Sequence, residues 1–244
     1  MPDIRFGEID FSGDGAFVWG AGQYSAPARS VDFIEVPGRN GDLLIDNGNY
    51  TNTTAIFDVV ITKDVAENTD RLKYLLYSQK GYQKLYDSDL KGFYRMASFN
   101  DGFEILSNEG GVVRIEFDCK PFKYDIVGEE IITVGGNLGH FYLDNPYFED
   151  ARPLFKVYTD VVIENEYCYI DVNGKTISFP RSGMNGLIID TNLQYAYRDL
   201  GNSGIQNCNS VVNTTDVSLR GGQNELSFHG AIKSVEIVPR WVTI

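Results

Sequence analysis

Turn-forming dipeptides punctuate the second half of this 244-residue chain at short intervals: Asn145-Pro146, Asn173-Gly174, Asn185-Gly186, Gly201-Asn202, Gly221-Gly222 and His229-Gly230. Glycine accepts positive φ, asparagine tolerates it, and proline presets φ at the value turns use. Between them lie short β-type runs at residues 154–158, 167–172, 175–179, 187–190, 194–197, 225–228 and 232–238, with no convincing helix. Short strands with such frequent turns predict an antiparallel sandwich. The clearest unit is C-Y-I-D-V at residues 168–172, then Asn173-Gly174, then K-T-I, the signature of a two-residue hairpin.

The first half reads as strands with one helix. Strands are expected at residues 4–9 and 33–36, and T-A-I-F-D-V-V-I at 54–61 is apolar enough for a strand buried on both faces. Residues 64–78 have helical spacing, with Leu72, Leu75 and Leu76 on one stripe. Asp64 or Asn68 can cap the start, and Gly81 stops the helix. One narrow apolar face suits a helix lying across a sheet. Strands resume at 82–86, 93–99, 103–106 and 112–120. In the last, Val113, Ile115, Phe117 and Cys119 alternate with Arg114, Glu116 and Asp118, and Pro121 is expected to end the ladder. Gly128, Gly135, Gly136 and Gly139 mark a boundary between domains at residues 1–133 and 134–244.

Residues 36–50, V-P-G-R-N-G-D-L-L-I-D-N-G-N-Y, crowd turn formers around one apolar run. Asn47-Gly48 is a two-residue hairpin signal, so the segment is expected to leave the sheet and return as an arm. Leu43, Leu44 and Ile45 are too apolar to leave in water, yet adjacent strand residues point to opposite faces, so one sheet face cannot bury all three. A neighbouring subunit is expected to cover the remainder. The candidate interface residues are therefore Gly38, Arg39, Asn40, Leu43, Leu44, Ile45, Asn47, Gly48 and Tyr50.

Hydrophobic content of 43% and charged content of 23% are those of a globular protein, and 15 Tyr, 15 Phe and 25 Gly favour β structure. A net charge of −13 with no run of four basic residues argues against a nucleic-acid-binding surface, which needs clustered Lys and Arg. The acidity serves solubility, or a surface that repels passing DNA. Cys119, Cys168 and Cys208 fit no zinc or redox spacing and read as reduced, partly buried thiols of a chain folded in a reducing cytoplasm. Residues 1–10 lack the apolar core of a signal peptide, and no apolar stretch approaches the ~18 residues of a membrane span.

The run at 36–50 resembles the N-terminal domain of the distal tail (Dit) proteins of long-tailed bacteriophages, the siphovirus-type tail component. Four further stretches agree in order: G-Y-Q-K-L-Y-D-S at 81–88, F-Y-R-M-A at 93–97, F-D-C-K-P-F-K-Y at 117–124 and V-E-I-V-P-R-W at 235–241. The resemblance spans nearly the whole chain. It implies two antiparallel β-sandwich domains in a mainly β chain, the first with a hairpin arm and one short α-helix, the second galectin-like. It also implies a structural role as a ring of six subunits at the distal end of a phage tail, made in the host cytoplasm. The first domains would form the ring and the second would project outward. Such a ring joins the tail tube protein to the baseplate or tail tip, holds a tail-associated lysin or tail fibre protein, and anchors receptor-binding proteins. No cofactor, metal, membrane or direct nucleic-acid contact is expected.

Chemistry offers little else. No G-x-S-x-G, P-loop, H-E-x-x-H or Rossmann fingerprint is present, and the only histidines, His140 and His229, each border a glycine and read as turn residues. The chain is therefore not expected to be an enzyme. Asp58, Glu116 and Asp118 lie on strands, where glycosidases place their carboxylates, but a solvated sheet face is the preferred reading of them. D-N-G-N at 46–49 lacks the further acidic ligands of a calcium loop. The alternative function is a carbohydrate-binding module or adhesin, for which Trp19, Tyr24, Tyr142, Tyr147, Tyr195 and Tyr197 are candidate stacking residues. Galectin-like binding relies on a His, Asn, Arg and Trp cluster that the sequence alone does not assemble from His229 and Trp241. Core or interface packing of the tyrosines is the simpler reading.

Overall fold

The computed structural model describes residues 3–11, 16–100, 102, 104–107, 111–136, 139–159, 167–181 and 183–244. It is mainly β with antiparallel sheets and divides into two compact units, residues 1–124 with the terminal Ile244, and residues 125–243. The division falls upstream of the glycine cluster at 128–139. The reason is that Ile132–Gly135 is itself a strand of the second unit, and Gly128 packs so tightly against Trp241 that a Cβ there would lie 2.5 Å from its backbone nitrogen.

The first unit contains β1 (Ile4–Phe6), β2 (Ile9–Asp10), β3 (Ala16–Tyr24), β4 (Arg29–Ile34), β5 (Leu43–Tyr50), β6 (Thr53–Ile61), α1 (Val65–Ser78), β7 (Gln83–Asp87), β8 (Phe93–Ser98), β9 (Glu104–Ser107) and β10 (Val112–Asp125). One sheet runs β2-β1-β7-β8-β10-β6-β3, with β9 also on β10. Three strand spacings separate β1 from β10, about 14 Å in a flat sheet. Yet the Phe6 and Phe117 ring centroids are 4.7 Å apart, so the sheet curls until its inner face meets itself. Phe57 and Phe99 join Phe117 there, and α1 adds Leu72 and Leu76.

Several sequence expectations change in detail. β6 is buried on one face only: Ala55, Phe57, Val59 and Ile61 are buried, while Ile56, Asp58 and Val60 are half-buried because Asp58 pairs with Arg114 on the outer face. β10 continues through Pro121 to Asp125. Its pairing with β6 stops at Cys119 opposite Thr53, so the donor that proline lacks is not missed there. Asp64 occupies the helix N-cap position with a left-handed backbone (φ 42°) and makes no side-chain cap; Asn68 instead donates to the Lys63 carbonyl.

The second unit contains β11 (Ile132–Gly135), β12 (Phe141–Asn145), β13 (Leu154–Thr159), β14 (Tyr167–Val172), β15 (Lys175–Pro180), β16 (Leu187–Asp190), β17 (Tyr195–Asp199), β18 (Ile205–Asn207), β19 (Gly222–His229) and β20 (Ile232–Val238). They form a sheet β11-β20-β13-β16-β17-β18 and a second sheet β12-β19-β14-β15. Inward residues of both sheets, among them Phe155, Ile237, Ile170 and Phe179, share one core with Trp241. Alternation explains it: in Y-C-Y-I-D-V, Cys168, Ile170 and Val172 are buried while Tyr167 and Tyr169 are exposed. Asn173 (φ 51°) and Gly174 (φ 82°) close the β14–β15 hairpin with the positive φ pair that a type I′ turn needs.

Candidate functional site

Among the described residues, β4 and β5 pair only with each other, forming a two-stranded ribbon apart from the curled sheet. Its tip is V-P-G-R: the Arg39 N–H donates to the Val36 carbonyl at 3.1 Å, with Gly38 at φ 81°. Proline second and a positive-φ glycine third make this a type II turn. Asn47-Gly48 is therefore not the hairpin turn. It lies inside β5, where the register shifts between Arg29 opposite Tyr50 and Val31 opposite Asp46. Gly48 (φ 72°) supplies the bulge, its N–H donating to Asp46 Oδ1 at 2.9 Å, while Asn47 Nδ2 donates to Ser30 Oγ and Asp32 Oδ2. A positive-φ glycine serves a bulge as well as it serves a turn.

The ribbon gathers all nine candidate interface residues but gives them different surroundings. Gly38, Arg39 and Asn40 are at the tip and exposed. Leu43, Leu44 and Ile45 lie opposite Ile34, Phe33 and Asp32, and the apolar side chains stay in solvent, Phe33 at 64% and Leu44 at 55%. Tyr50 sits at the base, half-buried, its ring edge-on to Phe122 at 5.8 Å. Asn52 fixes the same base through Asp118 and Tyr82. Phe33 and Ile34 complete the apolar surface, and S-V-D-F-I beside the glycine-rich run was the signal for them.

A second cluster lies on the outer face of the sheet β12-β19-β14-β15. His229 Nε2 is 3.1 Å from Ser227 Oγ and 3.8 Å from Asp171 Oδ2, and Asp171 also accepts from Thr176 Oγ1. A nucleophilic triad needs the serine on one ring nitrogen and the acid on the other. Here both meet the same nitrogen, so the arrangement is not a triad. His140 Nδ1 pairs with Glu225 Oε1 at 2.6 Å on the same face.

The other candidate groups are engaged structurally. Asp58 accepts both Arg114 nitrogens at 2.9 and 3.1 Å, and Asp118 accepts from Asn52 and Tyr82. Asp46 pairs with Arg29. Among the described residues, no three His, Cys, Asp or Glu side chains lie close enough to share a metal ion. Trp241 is buried in the second core, Tyr147 donates to Asp125 at 2.7 Å, and Tyr195 stacks on Tyr197 at 5.4 Å; Trp19 and Tyr142 are exposed. No helix among the described residues is long and apolar enough to cross a membrane.

No protein-family model matches the chain, and no curated protein matches it. Among solved structures, it is similar to the crystal structure of the SPP1 Dit protein (gp 19.1), described as a paradigm of hub adsorption apparatus in phages that infect Gram-positive bacteria. The TM-score is 0.72 at 12% identity, covering 100% of both chains. At that identity the likeness establishes a shared fold over the full length of the chain.

Proposed function

We propose that this chain is a distal tail hub of a long-tailed bacteriophage, working by geometry and not by catalysis. The observation that carries the reading is the β4–β5 ribbon: edges that no other strand covers among the described residues and a cluster of solvent-exposed apolar side chains, within a fold similar to that of a known hub protein. Isolated two-stranded ribbons are marginal in water, and large apolar residues on them lower the free energy when a partner covers them. The first unit forms a ring of six through the ribbon, which adds to a neighbour's surface. Identical heterologous contacts close such a ring by rotation, and strand addition gives each contact its direction. The ring takes the tail tube protein on one side and a tail-associated lysin or tail fibre protein on the other, and it anchors receptor-binding proteins. It resides at the distal end of the virion tail and needs no cofactor.

Light scattering and negative-stain microscopy of the purified chain test this directly. Closed rings are expected. A protein that stays monomeric at tens of micromolar, or one that turns over peptidoglycan fragments, would sink the reading.

A further inference from the structure

Both histidines of the chain reach the outer face of one sheet, β12-β19-β14-β15, and the same face carries exposed Tyr142, Tyr167 and Tyr169. The register fixes their layout. Tyr169 lies opposite His229, Asp171 opposite Ser227, and Tyr142 opposite Glu225. Tyr142 and Tyr169 are therefore two strands and four residues apart, roughly 10 Å across and 13 Å along. Asp171 and His229 occupy the ground between them, with Ser227 buried beside His229.

This composition departs from what a solvated sheet face requires. Exposed aromatic rings cost free energy in water unless something apolar lies on them. The groups between the rings are of mixed hydrogen-bonding type. A hydroxyl both donates and accepts, a neutral imidazole does the same with its two nitrogens, and a carboxylate only accepts. A pyranose ring is complementary to such a surface, because its C–H face stacks on an aromatic ring while its hydroxyls need both donors and acceptors. Two aromatic platforms this far apart suit a chain of sugars more than a single ring. Charge narrows the class further. Among the described residues, the outward positions of these four strands carry Asp144, Asp171 and Glu225 and no Lys or Arg, so a phosphate-bearing polymer is repelled.

We propose that this face binds a neutral oligosaccharide, with Tyr142 and Tyr169 stacking on sugar rings and Asp171 and His229 holding hydroxyls between them. The site is separate from the ribbon and does not depend on ring assembly.

Calorimetric titration of the full chain with maltotetraose, cellotetraose, chitotetraose and a galactose tetrasaccharide tests it. At least one is expected to bind with a Kd of about 1 mM or tighter. Tyr169→Ala is expected to weaken that binding about tenfold, as loss of a central aromatic contact does. Tyr142→Ala carries the same expectation from the opposite end of the face, should Tyr169→Ala disturb folding. Tyr195→Ala, on the other sheet, leaves binding unchanged. Repeating the titration with a ribbon-shortened chain separates sugar binding from assembly. The proposal is overturned if no member of the panel binds at ~10 mM, if Tyr195→Ala weakens binding as much as Tyr169→Ala, or if poly(glycerol phosphate) binds in preference to every neutral sugar.

Discussion

Arg240 grips Asp190 through both terminal guanidinium nitrogens, at 2.7 and 2.9 Å. The carboxylate is nearly fully buried at the end of β16, and the arginine holds a left-handed backbone (φ 58°) just beyond β20. Burial alone would raise the Asp190 carboxyl. The Arg240 bonds and the N–H groups of Leu193 and Asn192 outweigh burial and hold it below the usual carboxylate range. A depressed carboxyl stabilises the fold above its unfolded value near pH 4, and that stability is lost as pH falls through the lower folded value.

Asp190→Asn is therefore expected to cost roughly 3 kcal/mol at neutral pH, since it leaves Arg240 without its ionic partner. Urea midpoints measured at pH 7 and pH 3 check it. The difference between wild type and variant narrows at the acidic end; an unchanged difference would place the stabilisation elsewhere.

Gly128→Ala is expected to destabilise the second unit by about 2 kcal/mol. A Cβ there would lie 2.5 Å from the Trp241 nitrogen, a backbone atom that cannot rotate away, and the Gly128 carbonyl already accepts from the Arg240 N–H at 2.7 Å. A thermal scan that overlays wild type would refute the packing argument.

A fragment of residues 125–244 is expected to unfold in one cooperative transition. A fragment starting at residue 137 loses β11, which pairs with β20 from Ile132 opposite Ile237 to Gly135 opposite Ser234. The shorter fragment is expected to melt lower or to aggregate, because β20 then becomes a bare edge. Equal melting temperatures would mean that β11 contributes nothing to the unit.

Phe33→Asp combined with Leu44→Asp targets one cross-strand pair of the ribbon. Both side chains are in solvent in the single chain, so the melting temperature of the subunit is expected to move little. Ring formation is expected to disappear from the scattering profile. Rings that persist would remove the ribbon as the assembly element, and an unfolded variant would return it to the fold.

Local pattern carried most of the fold. Residues 168–176 announced their hairpin because alternation and an Asn-Gly turn agree, and the leucine stripe announced α1. Signals with two uses misled. Asn47-Gly48 satisfies a bulge as readily as a turn, and only the pairing of Arg29 with Tyr50 tells which. Pro121 breaks a ladder only where a partner strand wants its N–H, and β6 has stopped pairing by then. The glycines at 128–139 read as a domain boundary because the packing partners of Gly128 and Gly136, Trp241 and Ile232, lie far along the chain. Sequence separation also hid the Asp171–His229 neighbourhood, since nothing local fixes the register of β14 against β19.

Cys119, Cys168 and Cys208 are all buried and none forms a disulfide, and burial pushes the Cys119 thiol up to about 12. A thiol held protonated in an apolar interior neither attacks maleimides nor exchanges with disulfides at an appreciable rate. The native protein thus offers a silent background for attaching spectroscopic probes. One cysteine introduced at an exposed position such as Arg39 would be labelled alone, with no need to strip the natural thiols from either core. In a closed assembly, identical labels sit at the vertices of a regular polygon, so pulsed dipolar distances between them would count the subunits and measure the diameter of the opening in solution.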